Sequence, residues 1–288
     1  MCIFGQISNM NWFGALQACL PYRVNVSGRK AKWIVSLGRT LAPNAKQVFI
    51  NQQRISTAGH PLAQILQYAP VNFMRDFERS DLGHYMQAET KSGELFFDVG
   101  ANLGGYSLLA KRLGMEVELF EPFPELAKFL AENTHAFGKV HPVALSDEAG
   151  ELVFHISESN IGGSSLVDSS LGDAESGYSR DVKVKVGKGD EYVKGRVISI
   201  LKIDVEGNEG KTVKGFEQSL RSGNIQRVWC EVRGPKSDRN ANSYLEVLNF
   251  LSDCGYAAYT YKQGIKSRFE VGDANTLPQF FDLLFERA

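Results

Sequence analysis

The first 75 residues contain no Asp and no Glu, although the 288-residue chain carries 33 acids against 32 Lys and Arg. Arg23, Arg29, Lys30, Lys32, Arg39, Lys46, Arg54 and Arg75 leave this leader at +8 and the remainder at −9, hidden behind a net charge of −1. A basic, acid-free stretch suits a targeting leader, an anionic-surface contact, a nucleic-acid patch or a substrate-side domain. A transit peptide would be richer in Ser and poorer in aromatics, and a secretory signal would set a basic region before a clean apolar core. Residues 1–20 do neither. Gln6, Asn9, Asn11 and Gln17 interrupt them, so no membrane-spanning helix fits there. Two readings stay open for the leader: a folded appendage over residues 1–90, or contact of residues 1–75 with an anionic membrane surface or a lipid-linked substrate.

Cysteine is scarce too. Cys2, Cys19, Cys230 and Cys254 show no C-x-x-C spacing and no partnered His cluster, which argues against a disulfide framework and a zinc site. A reducing cytoplasm is the expected compartment, with peripheral membrane contact through the leader as the open addition. No internal repeat, low-complexity tract or long apolar run is present. A chain of this length with 43% hydrophobic and 23% charged residues can build a full core, and residues 91–288 are expected to form one domain.

What the chain does have is a strand, a glycine loop and an acid at a telling distance. Residues 94–99 are short, apolar and aromatic, as a buried parallel strand should be. They break into GANLGG, from Gly100 to Gly105, and then into a helical pattern from Tyr106 to Leu113. A second apolar run over residues 116–120 ends on Glu121, 21 positions after Gly100. Doubly wound nucleotide-binding sheets place there a carboxylate that accepts both hydroxyls of a ribose. A dinucleotide loop reads G-x-G-x-x-G, its middle glycine admitting the pyrophosphate. Gly100 and Gly105 hold the outer positions, but the middle one is Asn102, which obstructs a pyrophosphate and disfavours a dehydrogenase. A ligand with a ribose and no phosphate fits, and S-adenosylmethionine is such a ligand. Asp98, at the end of the strand, is then placed to organise its amino-acid tail.

Residues 201–207 read LKIDVEG, a strand ending in Asp204 and Glu206. Open α/β sheets bind ligands outside the carboxyl ends of their strands, so Asp98, Glu121 and Asp204 belong on one rim. The remaining pattern is regular. A third strand is expected over residues 140–145. Alternation over residues 151–157 (Leu152, Phe154, Ile156) and 181–186 reads as an extra β-ribbon. It flanks a Ser- and Gly-rich stretch, residues 158–180, of the kind that forms lids and binding loops. A helix after Gly207 carries Val213, Phe216 and Leu220 on one face. A strand over residues 227–232, a helix with Tyr244, Val247, Leu248 and Leu251, and strands over 257–261 and 280–285 complete the sheet.

Five segments in order, FDVGANLGGYS (residues 97–107), FEP (120–122), ALSD (144–147), GGSSL (162–166) and LKIDVEG (201–207), resemble the FkbM-type S-adenosylmethionine-dependent methyltransferases. The resemblance covers about residues 92–262. It implies a class I methyltransferase, Rossmann-like α/β fold: a doubly wound, mostly parallel sheet of seven strands with the last antiparallel. It also implies O-methylation of a hydroxyl on a sugar, glycolipid or natural product. By the same resemblance Gly100 and Asn102 line the cofactor, Glu121 holds its ribose, and Ser146 with Asp147 flank the adenine. The Thr-Leu-Asp-Glu segment usual before LKIDVEG is replaced by GKGDE over residues 187–191, and residues 1–90 match no part of the family.

A sugar hydroxyl is a poor nucleophile and gains about 10²–10⁴-fold from a base that removes its proton. The candidates are Asp204, Glu206, Glu231 and the five histidines. Glu206 is the expected base, with Asp204 contacting the cofactor's ammonium or the acceptor. The alternative has Glu206 capping the helix after Gly207. His135 and His155 read as solvated, His141 as packed, and His60 and His84 fall in the unplaced leader. Asp204 and Glu231 could alternatively hold a divalent cation that draws an acceptor diol toward the methyl group, but no third ligand is identifiable in the sequence, and the expected site holds no metal. The Pro-Pro-Tyr signature of amino-group methylation is missing after LKID, so the expected acceptor is a small molecule or glycan and not a nucleic acid. A non-catalytic adenosine-binding scaffold on the same fold is the competing reading.

Overall fold

The computed structural model describes residues 47–50, 53–56, 70–156, 180–235, 243–272 and 277–288. The lipid contact expected of the leader, His60, and the Ser- and Gly-rich stretch with its GGSSL segment fall largely or wholly outside the described residues.

The described chain opens with a hairpin, β1 (Gln47–Ile50) and β2 (Gln53–Ser56), followed by helices α1 (Pro70–Arg79) and α2 (Asp81–Glu89). Ser80 caps α2, its hydroxyl accepting from the Gly83 N–H at 3.0 Å. The expected strand–helix alternation follows as β3 (Leu95–Val99), α3 (Gly105–Arg112), β4 (Glu116–Phe120) and α4 (Pro124–Glu132), with α5 (Thr134–Phe137) ending at Gly138. β3 is buried along its whole length, as an apolar run between two helical layers must be. Next come β5 (Lys139–His141), β6 (Ala144–Ser146), β7 (Gly150–Ile156), β8 (Arg180–Lys188), α6 (Asp190–Val193) and β9 (Ile198–Ile203). The chain then runs through α7 (Glu209–Lys214), α8 (Glu217–Arg221), β10 (Ile225–Arg233) and α9 (Ser243–Asp253). It closes with β11 (Tyr256–Lys262), β12 (Ile265–Arg268) and β13 (Phe280–Arg287).

Eight strands pair in the order β12-β11-β13-β10-β9-β3-β4-β5. Strands β5, β4, β3, β9 and β10 run parallel, and β13 is antiparallel to both β10 and β11. This is the expected doubly wound sheet with its last strand reversed, extended at one edge by β12. The winding direction changes between β3 and β9. The crevice at their carboxyl ends is therefore the switch point at which such sheets bind ligands.

Two expected elements are divided. The strand read over residues 140–145 breaks at Pro142 into β5, which pairs with β4, and β6, which pairs with β8. Proline has no N–H to give the ladder, and the Val143 N–H turns back onto the His141 carbonyl at 2.9 Å. The ribbon of β7 and β8 thus gains β6 and becomes a separate three-stranded sheet. Phe154 and Ile156 of the ribbon are buried as expected, whereas Leu152 is exposed. The helix read after Gly207 is likewise two short ones, α7 and α8, although Val213, Phe216 and Leu220 are all fully buried.

Alternation along the strands sorts the two faces of the sheet. Phe96, Ile200 and Leu284 join one core with Leu82, Met86 and Leu109, while Phe97, Leu201 and Leu283 join the other with Val213, Leu220 and Val247. Among the described residues, Met74, Leu82, Tyr85 and Met86 of the two helices before the sheet share its core. Tyr85 shows why: its ring meets Tyr261 edge-on at 5.1 Å, and its hydroxyl donates to Glu286 Oε1 at 2.9 Å. No helix among the described residues is long and apolar enough to cross a membrane.

The hairpin is held by Ile55, fully buried in the core, and by one polar side chain. Buried Asn133 accepts from the Ser56 N–H at 2.7 Å and donates to the Ser56 and Phe129 carbonyls, each at 2.9 Å. Asn133→Ala leaves Ser56 polar groups unsatisfied, at about 1–3 kcal/mol each. Its denaturant midpoint should fall accordingly, and an unchanged midpoint would show that the hairpin is not docked there.

Candidate functional site

Backbone geometry comes first. The loop after β3 needs left-handed conformations at Gly100 (φ +76°), Asn102 (φ +51°) and Gly104 (φ +75°). At Gly100 a Cβ would lie 1.8 Å from the Asp204 carbonyl oxygen, so only glycine lets the loop rest on the end of β9. Asn tolerates the left-handed region better than most residues, which accounts for Asn102 where a dinucleotide loop has glycine. The Gly100 and Ala101 N–H groups bond to the Phe120 carbonyl at 3.0 and 3.2 Å, stapling the loop to β4.

Directly after β4, Glu121 is buried. Its Oε2 accepts from the Asn102 N–H at 2.7 Å and its Oε1 from the Phe123 N–H at 2.9 Å. Burial pushes its carboxyl up to about 7, the largest effect, against the pull of those two N–H groups and of Lys202. Each oxygen keeps a lone pair, so the ionised group can still accept from two neighbouring hydroxyls.

Beneath the loop sits Lys202, buried on β9 directly opposite Asp98 in the β3–β9 register. Its Nζ lies 3.2 Å from Asp98 Oδ1 and 3.5 Å from Asp204 Oδ2, and it donates to the Gly100 carbonyl at 2.9 Å. The Asp98 contact is an ion pair without hydrogen-bond alignment, since Asp98 Oδ1 has no hydrogen-bond partner. Asp98 Oδ2 accepts from Ser107 Oγ at 2.6 Å. Burial alone would lower the Lys202 pKa, but Asp98 and Asp204 overcome it and hold the amine above its usual value.

These elements enclose a cavity of about 750 Å³, part of it open to solvent. Phe123, Leu126, Val143, Leu145 and Phe154 form its apolar wall, the last three from the strands around Pro142 and the ribbon. Gly100, Asn102, Glu121, Asp204, Glu206 and Asn208 form its polar wall. Among the described residues three carboxylates and no Lys or Arg line it. A pyrophosphate would meet only negative charge there. An adenine can lie on the apolar wall, a ribose at Glu121, and a cationic sulfonium and ammonium beside the acids.

Comparison with protein families agrees with this reading. A family model, the methyltransferase FkbM domain, matches residues 98–258, more than half of the chain. The chain belongs to the FkbM methyltransferase domain family. The hexuronic acid methyltransferase AglP of Haloferax volcanii is 28% identical over 151 residues, a match spanning 50% of this chain and 59% of that enzyme. Among solved structures, precorrin-6y C5,15-methyltransferase from Geobacter metallireducens superposes with a TM-score of 0.39 at 11% identity, over 72% of this chain and 86% of that one. Magnesium protoporphyrin IX methyltransferase from Synechocystis, with bound S-adenosylmethionine, gives 0.38 at 12% identity, over 78% and 84%. The fold assignment rests on the strand order and not on these superpositions. The cofactor of this FkbM domain is S-adenosylmethionine.

Of the site residues expected from sequence, Gly100, Asn102, Glu121, Asp204 and Glu206 line the cavity and Asp98, Gly105, Ser146 and Asp147 do not. Asp98 faces Lys202, which stands behind the wall and pairs in turn with the lining residue Asp204. At Gly105 a Cβ would meet the Phe77 ring at 2.1 Å, so this glycine seats α3 against α1. Ser146 is buried and donates to Asp147 Oδ1 at 3.0 Å, while neighbouring Ala144 and Leu145 form the wall. Glu206 is no helix cap: Asn208 holds that position, and Glu209 Oε1 takes the Gly207 N–H at 2.8 Å. Glu206 is left-handed (φ +57°), a strained conformation for this residue, and accepts from Arg233 Nη2 at 2.6 Å. Carboxylate oxygens of Asp204, Glu206 and Glu231 lie within 4.8 Å of one another, and Arg233 supplies positive charge beside them. Lys202 and Arg233 were missed as site-building residues. A charge inside the apolar run 198–203 was the available signal for the first, whereas nothing local marks the second. His141, expected to be packed, is half-buried, bonds to Glu118 at 2.7 Å and stacks on Phe120.

Glu121 generates a pH test. Its folded pKa lies above the ordinary value, so the ionised form opposes folding, and stability from this group is lost as pH rises from about 4.5 toward 7. The ribose, in contrast, needs the ionised form. Affinity for S-adenosylhomocysteine should therefore rise by up to about tenfold per pH unit below about 7 and then level off. Glu121→Gln should bind more weakly with a flat profile in calorimetry. A parent profile flat from about pH 5.5 to 8 would remove Glu121 from ribose binding.

Proposed function

We propose that the protein is an S-adenosylmethionine-dependent methyltransferase that methylates a hydroxyl of a sugar or glycan. The observation that carries the cofactor half of this reading is the carboxylate-lined cavity at the β3–β9 switch point, which favours a cation-bearing adenosine compound. The acceptor half is supported by membership of the FkbM family and by the likeness to a hexuronic acid methyltransferase.

When bound, S-adenosylmethionine supplies an electrophilic methyl group on a positively charged sulfur. The protein's own residues do the rest. Glu121 fixes the ribose, the apolar wall holds the adenine, and Lys202 sets the position of Asp204. Asp204 and Glu206 stand where the cavity meets the Glu231 carboxylate of β10, and we assign them to the cationic end of the cofactor and to the acceptor. Alignment of the acceptor oxygen with the methyl carbon is the main source of acceleration in such a displacement.

Methyl-labelled S-adenosylmethionine offered with a panel of hexoses, hexosamines, hexuronic acids and their glycosides tests this. Label should enter a methyl ether in at least one of them, and Asp204→Asn should lower that rate by about tenfold or more. Label entering only a methyl ester, an amine or nucleic acid would reject the hydroxyl reading.

A further inference from the structure

The acid row of the rim extends beyond the cavity wall. In the β9–β10 register Ile203 faces Cys230, which sets Glu231 beside Asp204. In the β10–β13 register Glu231 faces Asp282. Asp204, Glu231 and Asp282 thus lie side by side along one rim, at the carboxyl ends of β9 and β10 and the amino end of β13, on the face of the sheet that carries Lys202 and Trp229. Glu206, left-handed at φ +57°, brings a carboxylate oxygen within 4.8 Å of those of Asp204 and Glu231, and its Oε2 accepts from Arg233. The Glu231 carboxylate is half-buried and has no hydrogen-bond or ion-pair partner among the described residues.

We propose that Glu231, and not Glu206, is the group that takes the proton of the acceptor hydroxyl. This rests on the methyltransferase reading above and deepens it. The acceptor's O–H bond breaks toward Glu231, and the oxygen's electron pair forms the new O–CH₃ bond. The pair of the S–CH₃ bond stays on sulfur, which becomes neutral, and the carboxylic acid formed on Glu231 later releases its proton to water. Glu231 is suited to this by its surroundings. Burial disfavours its negative charge, and Asp204 on one side, Asp282 on the other, Glu206 nearby and Glu209 from α7 all repel it. Lys202 and Arg233 are the cations nearby, and both are engaged, with Asp98 and Asp204 and with Glu206 respectively. The result is a carboxyl held well above the usual range, led by burial and then by Asp204, where a base for neutral-pH chemistry is useful.

Two measurements on Glu231→Gln and the parent decide it. In ¹³C NMR of protein labelled at glutamate carboxyls, one signal absent from the variant should titrate at least about two units above the ordinary ~4.3. With methyl hexopyranosides as acceptors, turnover should fall by about a hundredfold or more in the variant. Its affinity for S-adenosylhomocysteine should stay within about twofold of the parent, since Glu231 does not line the cofactor cavity. A Glu231 signal titrating near the ordinary value, or a variant that keeps its turnover, overturns the assignment. If the parent methylates no glycoside, the acceptor reading fails separately, and the titration alone decides whether Glu231 is a base of the required strength.

Discussion

The site hangs on one buried amine. Lys202 is surrounded by the ends of the two strands that flank the switch point, and it touches Asp98 on β3, Asp204 after β9 and the Gly100 carbonyl of the loop between β3 and α3. A buried charge without partners is prohibitively costly, and removing one partner of such a pair costs about 3–5 kcal/mol. The two acids, the carbonyl and the amine therefore have to be placed together. Once they are, the Gly100 loop lies against β9 closely enough to exclude any side chain, Asp204 faces the cavity, and Glu121 receives the loop's Asn102 N–H. Cofactor pocket and acid rim follow from the same contact.

Charge then divides the region by task. The cavity wall is acidic and holds no cation among the described residues, while the two cations nearest to it are each neutralised by acids behind or beside it. The net field favours a positive ligand and penalises a phosphate. Two left-handed residues that are not glycine, Asn102 and Glu206, both line this cavity. Strain of that kind, on the order of 1–3 kcal/mol each, persists where the surrounding structure over-determines it. Here the loop on β4 and the Arg233 contact do so.

Much of the architecture was legible because its causes are local. The run 94–99, the glycines after it and Glu121 sit within a single strand–helix–strand unit, where period and turn chemistry are read directly from neighbours. What stayed hidden depends on partners distant in sequence. β6 leaves the main sheet because it pairs with β8 some forty residues later, and only Pro142 hinted at a break. Glu206 could pass for a helix cap because its partner, Arg233, stands on another strand. The pairing of Asp98 with Lys202 is set by a strand register that no spacing reveals. The leader's lack of acids was plain in the sequence, yet residues 70–89 within reach of it turn out to belong to the sheet's own core, through Tyr85, Leu82 and Met86.

The central claim is that an acid-lined cavity at the switch point selects a cationic, phosphate-free adenosine cofactor. Calorimetric titration of the purified protein with S-adenosylmethionine and, in parallel, with NAD tests it most directly. One equivalent of S-adenosylmethionine should bind and NAD should give no measurable heat. Binding of NAD as tight as that of S-adenosylmethionine would contradict the account.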